Sequence, residues 1–178
     1  MSKDLNLYIA LDIDAIVSSR SYTQIKDFPA RIPEGMLHAL LFNDKSNTID
    51  QVTNNLVLNN VERGSYIYWS LIKLPSYSDY YSAVLTNYTT TETDQERIIM
   101  SKPTLSVRTV TTSFIKDDDT KEIGSEKIKD NYWSSKVKST GDIMTQSYTG
   151  YITIFNSDGS LVGYSSFNHS LILNPPKK

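Results

Sequence analysis

The stretch Ser147–Tyr148–Thr149–Gly150–Tyr151–Ile152–Thr153–Ile154–Phe155 constrains the fold more than any other part of this chain. It is β-branched and aromatic, and it runs directly into Asn156–Ser157–Asp158–Gly159 and then Ser160–Leu161–Val162–Gly163–Tyr164. That order predicts strand, turn, strand, with Asp158–Gly159 supplying the positive φ angles of a tight hairpin. Side chains alternate across a strand, so Tyr148, Gly150, Ile152 and Ile154 share one face, and Thr149, Tyr151, Thr153 and Phe155 the other. Both faces carry large groups. The pattern therefore places this hairpin inside a β-sandwich, covered on both sides.

The rest of the chain repeats the theme. Residues 5–13 alternate Leu5, Leu7, Ile9, Leu11 and Ile13 against Asn6, Tyr8, Ala10 and Asp12, which reads as a half-buried strand. Residues 14–20 allow a helical turn capped by Asp14, and 21–35 form an irregular loop broken by Pro29, Pro33 and Gly35. Strands are predicted over 36–42, where a helical turn is the alternative, and over 52–59, 65–73, 80–88, 104–115, 132–138 and 167–173. Residues 89–96 are polar and threonine-rich and are expected to be exposed. The charged stretch 116–130 reads as a solvated loop or an extended hairpin tip. Residues 139–142 read as a turn, and 174–178 as a frayed tail. Nine or ten short strands with turns between them predict one all-β domain over residues 1–178. The architecture is an antiparallel β-sandwich, jelly-roll-like or immunoglobulin-like.

Composition narrows the functional classes. A chain of 178 residues can bury a substantial core. No apolar run approaches the roughly 20 residues of a membrane-spanning helix, and the first residues lack the apolar centre of a signal peptide. With no cysteine, disulfide and thiol chemistry are absent. A cytoplasmic location is the simpler reading. A formal net charge of −2 argues against a nucleic-acid partner. The same small charge leaves little long-range repulsion between copies, so self-association costs little.

Few residues suggest chemistry. Asp12 and Asp14, read as two positions on one strand face, are about 6–7 Å apart between Cα atoms. They are weak candidates for a Ca²⁺ or Mg²⁺ site, with capping and local pairing as the plainer roles. Asp117–Asp118–Asp119 reads as a solvated run, and Asn156–Ser157–Asp158–Gly159 as a turn rather than a fragment of a calcium loop. His38 and His169 are the only histidines; without cysteine ligands they do not make a structural zinc site. No nucleophile elbow or phosphate-binding glycine loop occurs, so no catalytic residue and no cofactor is assigned. Trp69, Tyr77, Tyr80, Tyr81 and Trp133 form the aromatic group of most interest. They suit a core, a contact between copies, or a platform that stacks on sugar rings.

Three stretches together resemble a known family. They are Ile9–Ala10–Leu11–Asp12–Ile13–Asp14; then Val61–Glu62–Arg63–Gly64–Ser65–Tyr66–Ile67–Tyr68–Trp69–Ser70, with Ser78–Asp79–Tyr80 shortly after; then Asp130–Asn131–Tyr132–Trp133, Gly141, and the run from Phe155 to Tyr164. In order and spacing they are similar to the PixA/AidA inclusion body proteins of Gram-negative bacteria. Where that family often has Trp-Asp-Pro after its last Gly-Tyr, this chain has Phe167–Asn168–His169. It has four Met, where members named for inclusions are often methionine-rich. The resemblance implies a small cytoplasmic all-β protein, made in quantity by host-associated bacteria, often under cell-density control, and in some members gathered into crystalline inclusions. It implies no enzymatic activity and no cofactor. The expected function is a non-enzymatic, self-associating protein; the alternative is a carbohydrate-binding module built on exposed aromatics.

Overall fold

Period-two alternation of Leu5, Leu7, Ile9 and Leu11 drives the first strand, β1 (Leu5–Leu11), to bury one full face. The computed structural model describes residues 4–41, 48–50, 55–74, 80–92, 98–117, 119–138 and 144–174. After β1 come the short helix α1 (Ile13–Ser18), β2 (Ala30–Arg31), β3 (Leu37–Leu41), β4 (Thr48–Asp50), β5 (Asn55–Leu58) and β6 (Tyr66–Lys73). The chain continues through β7 (Tyr81–Thr90), β8 (Thr104–Ile115), β9 (Ile123–Lys136), β10 (Met144–Asn156) and β11 (Leu161–Leu173). The predicted turn at 139–142 lies outside the described residues.

Two sheets form. One runs β3-β1-β6-β9-β8, the other β4-β5-β11-β10-β7, with β2 also paired to β11. The fold is the expected all-β sandwich, but its sheets are mixed rather than purely antiparallel. β1 runs parallel to β6, and β11 runs parallel to both β2 and β5. Parallel neighbours need a long crossover. Here the segment between β1 and β6 supplies it, visiting the second sheet through β2, β4 and β5 on the way.

The core lies between the sheets. It joins Leu7, Ile9, Ile67, Trp69 and Trp133 of the first to Leu56, Leu85, Tyr88, Tyr148, Ile152 and Leu171 of the second. The indole N–H of Trp133 crosses the gap to donate to the Leu85 carbonyl at 3.0 Å. A buried indole without such an acceptor would cost about 1–3 kcal/mol.

The hairpin that organises the sequence lies at the centre of its sheet, with β10 between β11 and β7. Tyr148, Gly150, Ile152 and Ile154 face the core as the alternation predicts, and Tyr151 and Phe155 are half-buried on the other side. The turn differs from expectation. Only Gly159 takes a positive φ, +76°. Gly159 N–H donates to the Asn156 carbonyl at 3.0 Å, and Asn156 Oδ1 accepts from the N–H groups of Asp158 and Ser160. The Asn156 side chain thus holds a three-residue loop closed by a left-handed glycine.

Three other boundaries move. β1 ends at Leu11, because Asp12 rather than Asp14 caps α1: Asp12 Oδ1 accepts from Ala15 N–H at 2.9 Å. β11 runs unbroken through Ser165 and Ser166, since buried Ser165 Oγ donates to the Ser21 carbonyl at 2.7 Å. The charged stretch 116–130 is mostly strand β9, whose charged side chains project into solvent from a ladder with β8.

Gly150 lies directly opposite Phe167 in the β10/β11 ladder, and a Cβ on Gly150 would overlap the Phe167 ring. Gly150→Ala should therefore destabilise the fold by about 1–3 kcal/mol through overpacking. Phe167→Leu combined with it should recover part of that loss. A double-mutant cycle in urea measures the coupling; additive losses would contradict the contact.

Candidate functional sites: a buried histidine and an exposed arm

Inward positions of β7, β10 and β11 bring Tyr88, Tyr148, Phe167 and His169 together under Trp69 of β6. The Tyr88 and Tyr148 rings stack with centroids 5.1 Å apart, and Trp69 tilts against them at 5.0 and 5.6 Å. The Tyr88 hydroxyl bonds to His169 Nε2, and the Tyr148 hydroxyl contacts Met100 Sδ at 3.2 Å. Burial pushes both phenols above their ordinary range, so each stays protonated. Burial pushes the His169 imidazole down to about 3. It is neutral at ordinary pH, with Nε2 held against the Tyr88 hydroxyl. Among the described residues Nδ1 has no hydrogen-bond partner.

The residues singled out from sequence do not assemble into one site. Trp69 and Trp133 are buried, taking the core role rather than that of a ligand platform or a contact between copies. Tyr81 is partly buried against the same core, whereas Tyr80 is 65% exposed. Tyr77 lies outside the described residues. Asp12 and Asp14 do not share a strand face, because Asp12 is the helix cap and Asp14 lies in the first helical turn. No group of three or more His, Asp or Glu side chains gathers among the described residues. In the acidic run, Asp117 Oδ1 accepts from Asp119 and Thr120 N–H at 2.8 Å each. The Thr120 bond leads in drawing the exposed Asp117 carboxyl below its usual value. Asp118 lies outside the described residues.

Of the two readings offered for residues 116–130, the extended hairpin tip is the one that forms, as the end of an arm made by β8 and β9. β6 pairs with β9 only from Trp69↔Trp133 to Tyr66↔Lys136. From Tyr132 back to Ile123, β8 is the one ladder partner of β9 among the described residues. This two-stranded ribbon extends about 30 Å. Its outer face is held by cross-strand pairs. Arg108 Nε and Nη2 both donate to Asp130 Oδ2, at 2.9 and 2.8 Å, and the guanidinium lies 5.3 Å from the Tyr132 ring centroid. Val110 faces Ile128, and Phe114 covers Gly124. Apolar side chains nevertheless remain in solvent: Val107 is 61% exposed, Ile115 57% and Ile123 73%.

A cleft of about 440 Å³ lies between residues 26–29 and the outside of the second sheet, lined by Lys26, Asp27, Asn87, Tyr151 and Tyr164 among others. No helix among the described residues is long and apolar enough to cross a membrane.

Comparison with known proteins fixes the family. The PixA inclusion body protein model matches residues 3–172. The chain belongs to the PixA inclusion body protein family. Its fold is similar to the crystal structure of an inclusion body protein (PixA) from Burkholderia cenocepacia J2315, with a TM-score of 0.71. That match covers 97% of this chain and 96% of the other at 14% identity. A search of curated proteins finds no match by sequence. In this PixA chain the stretches that carried the resemblance serve the fold: Asp12 follows β1 and caps α1, and Trp69 and Trp133 fill the core.

Two measurements follow from the site geometry. His169 has a folded pKa of about 3 against about 6.5 unfolded. Its neutral burial therefore favours the fold fully above pH 6.5. That stability is lost, at about 1.4 kcal/mol per pH unit, as pH falls from there towards 3. His169→Gln should flatten this part of the urea-stability profile relative to the parent, and an unchanged slope would count against a buried neutral imidazole. At the helix cap, Asp12→Ala should cost about 1 kcal/mol and Asp12→Asn much less. Equal losses would show that carboxylate charge, not capping, is what matters there.

Proposed function

We propose that this PixA family member is a non-enzymatic bacterial protein that self-associates and accumulates in the cytoplasm as ordered inclusions. The exposed apolar arm is the observation that carries the reading. Val107, Ile115 and Ile123 remain more than half in water in a single copy and Leu105 nearly half, and exposed apolar groups along one ribbon favour an interaction surface. A formal net charge of −2 sets up little repulsion between copies. The family description, inclusion body protein, points the same way. A catalytic role draws no support from the buried groups, since His169 and Tyr148 lie in the packed core. The carbohydrate-binding alternative loses Trp69 and Trp133 as stacking platforms for the same reason.

The test is expression of the untagged chain in a bacterium, imaging for refractile bodies, and powder diffraction from the pelleted particles. Sharp rings are expected, from particles that dissolve into folded β-protein as pH moves well away from about 5.7, the sequence pI. Soluble, monodisperse protein with no particles would overturn the assignment. Solubility that stays flat across about pH 5 to 9 would remove the charge argument alone.

A further inference from the structure

Strand β8 has a free edge, since no strand pairs with its outer side among the described residues. Edge strands are ordinarily guarded against pairing by lysine, proline, a bulge or short length. β8 has none of these guards. It is 12 residues long, TLSVRTVTTSFI, and its register with β9 is unbroken from Thr104↔Ser134 to Ile115↔Ile123. Its one charge, Arg108, is already held by Asp130 on the inner strand. The remaining charges of the ribbon, Glu126, Lys127 and Lys129, lie on β9, one strand away from the edge. A copy approaching this edge therefore meets open backbone and, apart from the paired Arg108, neutral side chains.

Resting on the self-association reading above, we propose that two copies of this chain pair through β8, edge to edge and antiparallel, about a two-fold axis at Val110. The position follows from the ladder. Lys116 N–H donates to the Glu122 carbonyl at 2.7 Å, in line with the β8/β9 register. Bonding to one neighbour alternates along an antiparallel strand. Even-numbered residues of β8 therefore bond to β9, and Leu105, Val107, Thr109, Thr111, Ser113 and Ile115 turn their N–H and C=O groups to the free edge. Residues directly opposite share a sheet face, so a two-fold normal to the sheet passes where one residue faces its own copy. The strand centre leaves Thr109 and Val110. An axis at Val110 sets Leu105 against the second copy's Ile115, twice by symmetry, and puts Arg108 opposite Thr112. An axis at Thr109 sets Leu105 against Ser113 and carries Ile115 beyond the strand, opposite Pro103. The Val110 axis alone covers both exposed apolar ends, and it keeps the two guanidinium groups apart. The result is one sheet running continuously from molecule to molecule, a mode of strand addition that draws affinity from main-chain bonds.

The chain has no cysteine, which makes single-cysteine cross-linking clean. Val110 faces its copy as a non-hydrogen-bonded pair, with Cα atoms about 4.5 Å apart, inside the ~4.4–6.8 Å range for a disulfide. Val110→Cys should form a covalent dimer under mild oxidation at least tenfold faster than Ile123→Cys, which is more exposed but lies about 30 Å from its copy in this arrangement. Thr109→Pro removes an N–H from the free edge and none from the β8/β9 ladder. It should lower the sedimenting mass to that of one chain while tryptophan fluorescence stays native. If the parent chain associates but Val110→Cys cross-links no faster than Ile123→Cys, or folded Thr109→Pro keeps the parent's mass, the β8 pairing is overturned and self-association stands. If the parent sediments as a single chain at every concentration, both readings fall.

Discussion

Contact between Trp69 on one sheet and the stacked Tyr88 and Tyr148 rings on the other is the interaction on which the rest of this structure depends. Neither sheet is stable as an isolated layer, because each has one face of Leu, Ile and aromatic side chains that must leave water. The ring cluster sets where the two layers meet. It also decides the state of every polar group inside it. Tyr88 can be buried because its hydroxyl finds His169, and His169 can be buried because it stays neutral. Around them Gln146 accepts from Met100 N–H at 3.1 Å and donates to Thr90 Oγ1 at 2.9 Å. Each hydrogen bond adds little net stability, but leaving any of these groups unpaired would cost more.

The core therefore uses in packing side chains that elsewhere carry chemistry. Histidine and tyrosine are common catalytic and binding groups, and here both are consumed by packing. What the molecule presents to its surroundings comes from the other end of the first sheet. There β8 and β9 leave the sandwich and continue as a ribbon. A two-stranded ribbon is marginal by itself, and this one is supported by the Arg108–Asp130–Tyr132 group, the Val110–Ile128 pair and Phe114 over Gly124. At its tip Lys116 Nζ meets Glu122 Oε1 at 2.8 Å, an exposed pair of small energetic weight. The ribbon thus keeps its shape while leaving an edge and several apolar side chains unsatisfied, the physical condition for pairing with another chain.

Much of this was legible in the residues. Strict alternation located β1, β6 and β10, because a strand with one buried face writes a period of two into its sequence. The β-branched run 104–115 gave β8 with its ends correct. Errors fell where a polar residue had a tertiary partner. Ser165–Ser166 looked like a break and is continuous strand, because Ser165 is satisfied by Ser21 far away in sequence. Asp14 looked like the cap and Asp12 is, because the helix begins at Ile13, a residue that the apolar alternation had assigned to β1. A signal for His169 was present, since it shares the parity of Phe167, Leu171 and Leu173, which are all buried.

By itself, the sequence determined an all-β sandwich, its central hairpin, most strand faces and membership of a family, since these follow from periodicity, turn chemistry and ordered motifs. Only the tertiary structure decided that the sheets are mixed and that Trp69 and Trp133 are core rather than platform. It alone made β8 an edge and His169 a neutral, buried imidazole. The physical reason is one of range. Which face of a strand is apolar is a local property. Which neighbour lies beside the strand, or none at all, is fixed by chain segments far apart in sequence competing for the same edge.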